Sequence, residues 1–341
     1  MPKTYCCMSP SGERHRFVEG TDAYRELLAL EANKHMGAPF WCPYDNSSLF
    51  EEPENVRPDT QYALIMLAAD VSGSMFTEVV LEGGAKTKAT QVIESLADVL
   101  RDLSLPNAGT ANSLLVGLLT FASRALWVDA HGSGIDFSPD PVVLTVTELV
   151  QKLIGLHTGR DITTRSDRSV EIDALRGSLN NIFLRASDLC GGTGTNYEAA
   201  LAACAATLRD VQDPTKRRGL RPDWEVIYKD SRKLAYLRTV FYSDGVPNLG
   251  KTGTADLGAQ CREAFPNDNV PLITSSFVSP DQGGAEEAEG TLREMSSLCP
   301  VHKTEKCMFP GADARRFRDI IRMASGGSGF CPRCLRERQR T

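Results

Sequence analysis

The stretch YALIMLAADVSGSMF, residues 62–76, decides the fold. Its first half is an unbroken apolar run. That is the pattern of a strand buried on both faces, as in a parallel sheet covered by helices. The run stops at Asp70, and Ser72 and Ser74 follow at alternate positions around Gly73. A turn accounts for the glycine. It does not account for three short oxygen-bearing side chains at alternate positions.

Working outward, the same rhythm repeats. Residues 86–105 (KTKATQVIESLADVLRDLSL) carry apolar side chains at helical spacing, and 113–123 (SLLVGLLTFAS) read as a second buried strand. Residues 196–211 read as a helix, 237–245 (LRTVFYSDG) and 270–279 (VPLITSSFVS) as strands, and 285–298 and 312–325 as amphipathic helices. Strands alternating with helices predict βαβ units, and so an α/β, Rossmann-like, doubly wound and mostly parallel sheet. In such a sheet ligands bind beyond the carboxyl ends of the strands, near the switch point.

Three segments fall at those ends. Asp70, Ser72 and Ser74 follow the first buried strand. Thr193 and Thr195 lie in the glycine-rich CGGTGTNYEAAL, residues 190–201, just before a helix. Asp244 closes a third strand in FYSDGVPN, residues 241–248. Two carboxylates with several hydroxyls suit a hard divalent cation, magnesium first and manganese or calcium next. These loops hold no histidine, and Cys190, at the edge of the second, is their one cysteine.

DVSGSM, then a threonine loop, then SDG resembles the von Willebrand factor A (VWA) family with its metal-ion-dependent adhesion site. The resemblance spans roughly residues 60–325. It implies that Asp70, Ser72, Ser74, one threonine and Asp244 hold the metal, Asp244 either directly or through water. Family members usually place Ala-Leu five and six residues after the metal threonine. Ala200 and Leu201 stand there for Thr195, which is therefore favoured over Thr193. The resemblance further implies a binding module and no enzyme: an adaptor whose metal accepts an Asp or Glu of a protein partner. Tellurite-resistance-type VWA proteins, which work beside kinases and phosphatases, are similar in size and in a cysteine-bearing tail. Adaptors of MoxR-type AAA+ ATPases and Ro-like nucleic-acid-binding proteins are the alternatives.

The rest of the chain bounds these expectations. It has 341 residues, 41% apolar and 24% charged, with a net charge of −6 that disfavours nucleic acid. Arg160, Arg165, Arg168, Arg176 and Arg185 are interleaved with Asp161, Asp167, Glu171 and Asp173, the pattern of a solvated mixed-charge surface. No apolar run is long enough to span a membrane, and the first residues lack a secretory core, so the expectation is a cytoplasmic protein. Residues 1–58 read as an N-terminal extension, 59–325 as the main domain with an insertion at about 129–188, and 326–341 as a tail. The polar middle of the insertion, residues 157–169, reads as a mobile loop.

Ten cysteines in such a compartment suggest metal ligands and core packing before disulfides. Cys331 and Cys334 form a Cys-x-x-Cys pair, and WCPYD, residues 41–45, resembles half of another, with Asp45 in reserve. Structural zinc takes four ligands, usually as two pairs. The expected set is Cys42, Cys331, Cys334 and either Cys6 or Cys7. Cys299, His302 and Cys307 make a second, incomplete set. Cys190, Cys204 and Cys261 read as core.

Overall fold

The computed structural model describes residues 4–8, 14–29, 50–52, 63–81, 84–104, 114–130, 134–158, 168–213, 215–216, 236–250, 254–265, 270–277, 284–311, 314–326 and 329–339. The chain divides into two units, Met1–Thr60 and Gln61–Thr341.

In the first unit, strands β1 (Thr4–Met8), β2 (Arg14–Val18) and β3 (Phe50–Glu52) form an antiparallel sheet in the order β2-β1-β3. Helix α1 (Asp22–Ala29) brings Leu27 against Tyr5 and Phe17, and Tyr24 stacks on Tyr5 at 5.8 Å.

The second unit is built on β4 (Ala63–Asp70), every residue of which is buried. The hairpin β5 (Glu78–Leu81) and β6 (Gly84–Thr87) leads into α2 (Lys88–Leu103). The Thr87 hydroxyl accepts from the Thr90 amide at 3.1 Å and so caps α2. β7 (Leu114–Phe121) is again buried throughout. Strands β8 (Ala125–Asp129), β9 (Asp136–Ser138) and β10 (Leu144–Thr145) follow, then helices α3 (Val146–Thr158), α4 (Arg168–Cys190) and α5 (Tyr197–Gln212). β11 (Tyr236–Ser243), α6 (Thr254–Ala264), β12 (Leu272–Ser276), α7 (Ala285–Met295), β13 (Met308–Phe309), α8 (Ala314–Gly326) and α9 (Pro332–Arg338) complete it.

The sheet runs β13-β12-β11-β4-β7-β8-β9, with β10 also on β7. The five strands from β13 to β7 are parallel, and β8, β9 and β10 are antiparallel additions. The fold is therefore the mostly parallel doubly wound α/β sheet that the sequence predicts. The chain leaves β4 for β7 on one side, then returns to place β11 on the other. β4 and β11 thus flank the switch point, where the connections diverge and leave a crevice.

Helices α2, α3, α4 and α8 pack together over one face, and α5, α6 and α7 over the other. Helices α3 and α4 fall within the expected insertion, yet they pack on β7 and α2 as part of the main layer. Residues 159–167, the centre of the expected mobile loop, lie outside the described residues. Sequence reading passed over the short strands β8, β9, β10 and β13, and helix α6.

Candidate functional site

Asp70 ends β4 and Asp244 follows the last residue of β11, so the pairing of these two strands brings the carboxylates to one crevice. Both are fully buried, and Ser72 nearly so. The Ser72 amide donates to Asp70 Oδ1 at 2.8 Å, which folds the turn back on its own carboxylate. Ser72 Oγ and Ser74 Oγ are 3.1 Å apart, and Ser74 Oγ donates to Asp244 Oδ1 at 2.8 Å. Four of the five residues expected from the sequence thus form one hydrogen-bonded cluster.

The threonine loop joins through its backbone. The Gly73 amide donates to the Gly192 carbonyl at 2.7 Å, tying the serine turn to the glycine-rich loop. Thr195 is buried and Thr193 exposed. Asn248 clamps Thr195: its Oδ1 accepts from the Thr195 amide at 2.7 Å, and the Thr195 carbonyl accepts from the amides of Asn248 and Leu249. Gly194 lies against the exposed Leu249 side chain, which would have to turn away from a Cβ placed there. Gly191 has φ of +71°, the left-handed conformation that glycine adopts without strain.

Two partners escaped sequence reading. Ser243 Oγ donates to Asp70 Oδ2, so this carboxylate is held at both oxygens. Lys88, the first residue of α2, is buried, and its Nζ lies 2.6 Å from Asp244 Oδ2. A lysine in the first turn of a helix opposes the macrodipole. That misfit is the one signal in the sequence that Lys88 answers a carboxylate elsewhere.

The electrostatics follow from these placements. Two buried carboxylates face one buried ammonium. Burial pushes the Asp70 carboxyl up to about 6, and the charge of Asp244 adds to the rise. The cluster carries one negative charge more than Lys88 neutralises, and its donors are all oxygen. Such a set fits a divalent hard cation. Beneath it, Phe121 stacks on Phe241 at 4.8 Å, Tyr197 packs edge-on to both, and Tyr197 donates to the Gly245 carbonyl at 2.6 Å. A packed aromatic floor limits how far the loops can relax.

The cysteines group differently from expectation. Cys331 and Cys334 pack against Cys299 and His302, all within the second unit. Cys42 lies outside the described residues, and of Cys6 only the backbone in β1 is described. Among the described residues, one group thus joins Cys331 and Cys334 of the first expected set to Cys299 and His302 of the second, while the expected Cys42 and the side chains of Cys6 and Cys7 lie outside the described residues. The physical reason is matched spacing: Cys299–His302 and Cys331–Cys334 are both two-residue-gap pairs, and either completes the other. Cys307 is buried beside Cys299, with its thiol in hydrogen-bond reach of Cys299 Sγ, outside that foursome. Cys190, Cys204 and Cys261 are buried in the core as read.

Of the arginines in the insertion, Arg176 reaches Asp98 and Asp173, and Arg185 donates to the Ile135 carbonyl at 3.0 Å while lying over the Phe137 ring. No described helix is long and apolar enough to cross a membrane.

No family model and no curated protein matches the chain. Among solved structures it is similar to the open conformation of the pilus adhesin SpaC from Lactobacillus rhamnosus GG, at 14% identity and a TM-score of 0.44, covering 78% of this chain and 30% of that one. It is similar to a von Willebrand factor type A protein from Catenulispora acidiphila, at 13% identity and a TM-score of 0.39, covering 78% and 43%. It is also similar to the conserved hypothetical protein BatB from Bacteroides thetaiotaomicron, at 13% identity and a TM-score of 0.40, covering 77% and 100%. At these identities the likenesses bear on neither ligand nor partner.

Proposed function

We propose that this chain is a VWA-type interaction module whose divalent cation, magnesium first, links it to an acidic side chain of a protein partner. The observation that carries the reading is the hydrogen-bonded cluster of buried Asp70, Ser72 and Asp244 with half-buried Ser74 at the switch point. Asp70, Ser72, Ser74, Thr195 and Asp244 would hold the cation. When bound, it supplies a coordination position open to a partner's carboxylate. The chain's own residues do the rest. Ser243 and the Ser72 amide fix the Asp70 carboxylate, Lys88 fixes Asp244, and Asn248 fixes the threonine loop. The two carboxylates and the backbone of the threonine loop are thus held by the chain itself, which lowers the ordering cost of binding.

The module acts as an adaptor and carries out no reaction of its own. Glu198, the acid that follows the threonine loop, opens α5 in the first turn, where the macrodipole favours it, and packs under Gly250. A cytoplasmic role beside kinase, phosphatase or AAA+ ATPase components belongs to the same proposal and rests on family resemblance.

The test is calorimetric titration of magnesium and manganese into wild type and Asp70→Ala, followed by partner capture in magnesium and in EDTA. Binding by wild type, its loss in the variant, and partners captured only with magnesium are the expected results. Equal metal affinity in the two proteins would reject the site. Partners indifferent to EDTA would reject the bridge.

A further inference from the structure

The second cluster stands apart from the crevice. Cys299 and His302 lie in the loop after α7, and Cys331 and Cys334 bracket the start of α9. Their ligand atoms all lie within 4.8 Å of one another. Cys299 Sγ is 3.6 Å from Cys334 Sγ, and Cys331 Sγ is also 3.6 Å from Cys334 Sγ. His302 Nδ1 is 3.3 Å from Cys331 Sγ and 3.2 Å from Cys334 Sγ. A tetrahedron with metal–sulfur bonds of about 2.3 Å and a metal–nitrogen bond of about 2.0 Å has edges of roughly 3.5–3.8 Å. Four of the six edges here, at 3.2, 3.3, 3.6 and 3.6 Å, lie close to those values, and the other two are within 4.8 Å.

The amides of Val301, His302 and Phe330 are directed at Cys299 Sγ, so that sulfur is held in place by the backbone around it. His302 presents Nδ1 to the sulfurs while its Nε2 faces Glu337 Oε2 at 3.4 Å. Glu337 is itself held by Arg333 at 3.0 Å. A carboxylate behind the distal nitrogen of a histidine is how metal-binding imidazoles are oriented. Gly329 is required beside the cluster, because a Cβ there would collide with Cys334 Sγ.

We propose that Cys299, His302, Cys331 and Cys334 form a structural zinc site that staples α9 to the loop after α7. Three sulfurs and one imidazole select zinc over the hard cations that suit the crevice, so the chain sorts two metals by donor type. The staple has a clear use. α9 has seven residues, too few to hold helical form alone. Cys307 stays outside the coordination shell as a buried thiol beside Cys299.

The test is elemental analysis of the full chain, purified without a metal-chelating step. About one zinc per chain is expected, retained by Asp70→Ala and Cys307→Ala and lost from Cys334→Ala and His302→Ala. Zinc lost with Asp70→Ala would place it in the crevice and overturn the assignment. Zinc lost with Cys307→Ala would overturn the ligand set. Iron with sulfide in place of zinc, or a metal-free Cys331–Cys334 disulfide found by intact mass, would overturn the proposal as well. Because ligand variants also lose the staple, cobalt exchange into wild type supplies an independent readout. Intense tetrahedral and thiolate-to-cobalt absorption is expected, and its absence counts against the site.

Discussion

Asp70 couples the crevice to pH. Its carboxyl is raised from 3.8 to about 6, first by burial and then by Asp244. The folded state therefore keeps a proton that the unfolded chain has already released, and metal-free stability falls as pH climbs from about 4 to 6. Above that range the fold carries an ionised, buried Asp70 at its full cost, which a bound cation offsets. Magnesium is thus expected to raise the melting temperature more at pH 7.5 than at pH 5, read by calorimetry. Near pH 5.5 its binding should release protons, seen as a dependence of the titration heat on buffer ionisation enthalpy. Lys88 is the counterpart. Replacing it by methionine removes one half of a buried ion pair and leaves Asp244 uncompensated. A loss of about 3–5 kcal/mol is expected in urea unfolding without metal. A loss under about 1 kcal/mol, the range of exposed pairs, would show that the pair is solvated.

Among the elements, the glycine-rich loop and the 245–250 segment are joined by the Asn248 clamp on Thr195. Asn248→Ala should loosen that loop and weaken magnesium binding by roughly tenfold in calorimetric titration, the scale of one lost hydrogen bond. Unchanged affinity would mean that the clamp does not position the loop. The elements also show what sequence can and cannot reveal. β4 and β7 were legible because burial on both faces leaves seven apolar residues in a row before Asp70 and eight apolar or small residues in β7. β13 and β10 have two residues each, too few for any periodicity. Asp70, Ser72, Ser74 and Asp244 were legible because each sits where a strand runs out. Lys88 was not, since its partner lies 156 residues away. The cysteine grouping was half legible. CPVH at 299–302 and CPRC at 331–334 share spacing and a proline after the first cysteine, yet sequence reading grouped Cys299 and His302 with the nearby Cys307, because the CPRC pair lies about thirty residues on.

For the whole molecule, the crevice and the Cys–His cluster both lie within Gln61–Thr341. A chain comprising residues 61–341 is expected to bind magnesium as the full chain does and to retain its zinc. Loss of zinc from that shorter chain would return Cys42 or Cys6 to the ligand set. The same unit ties its helices by charge on one face. Asp98 of α2 reaches Arg176 of α4 and Arg318 of α8, Asp102 pairs with Arg322, and Arg101 pairs with Glu171. α2 is therefore a hub between α4 and α8, the helix that precedes Cys331 and Cys334. Arg238 of β11 extends the link, donating to the Ala324 carbonyl with its guanidinium over the Phe330 ring at 4.3 Å.

The central place of β4 has a consequence for how the chain is made. Asp70 and the Ser243 that holds it are separated by 173 residues, and β11 is the strand that must slot in beside β4. At ribosomal speeds of about 5–20 residues per second, roughly 10–35 s pass between the two. During that interval β4 has an apolar flank with no strand on it, the kind of open edge that recruits other chains. The crevice is accordingly a late product of synthesis. It cannot guide the nascent chain, and whatever shields β4 in those seconds determines how much of the protein reaches a state able to bind anything.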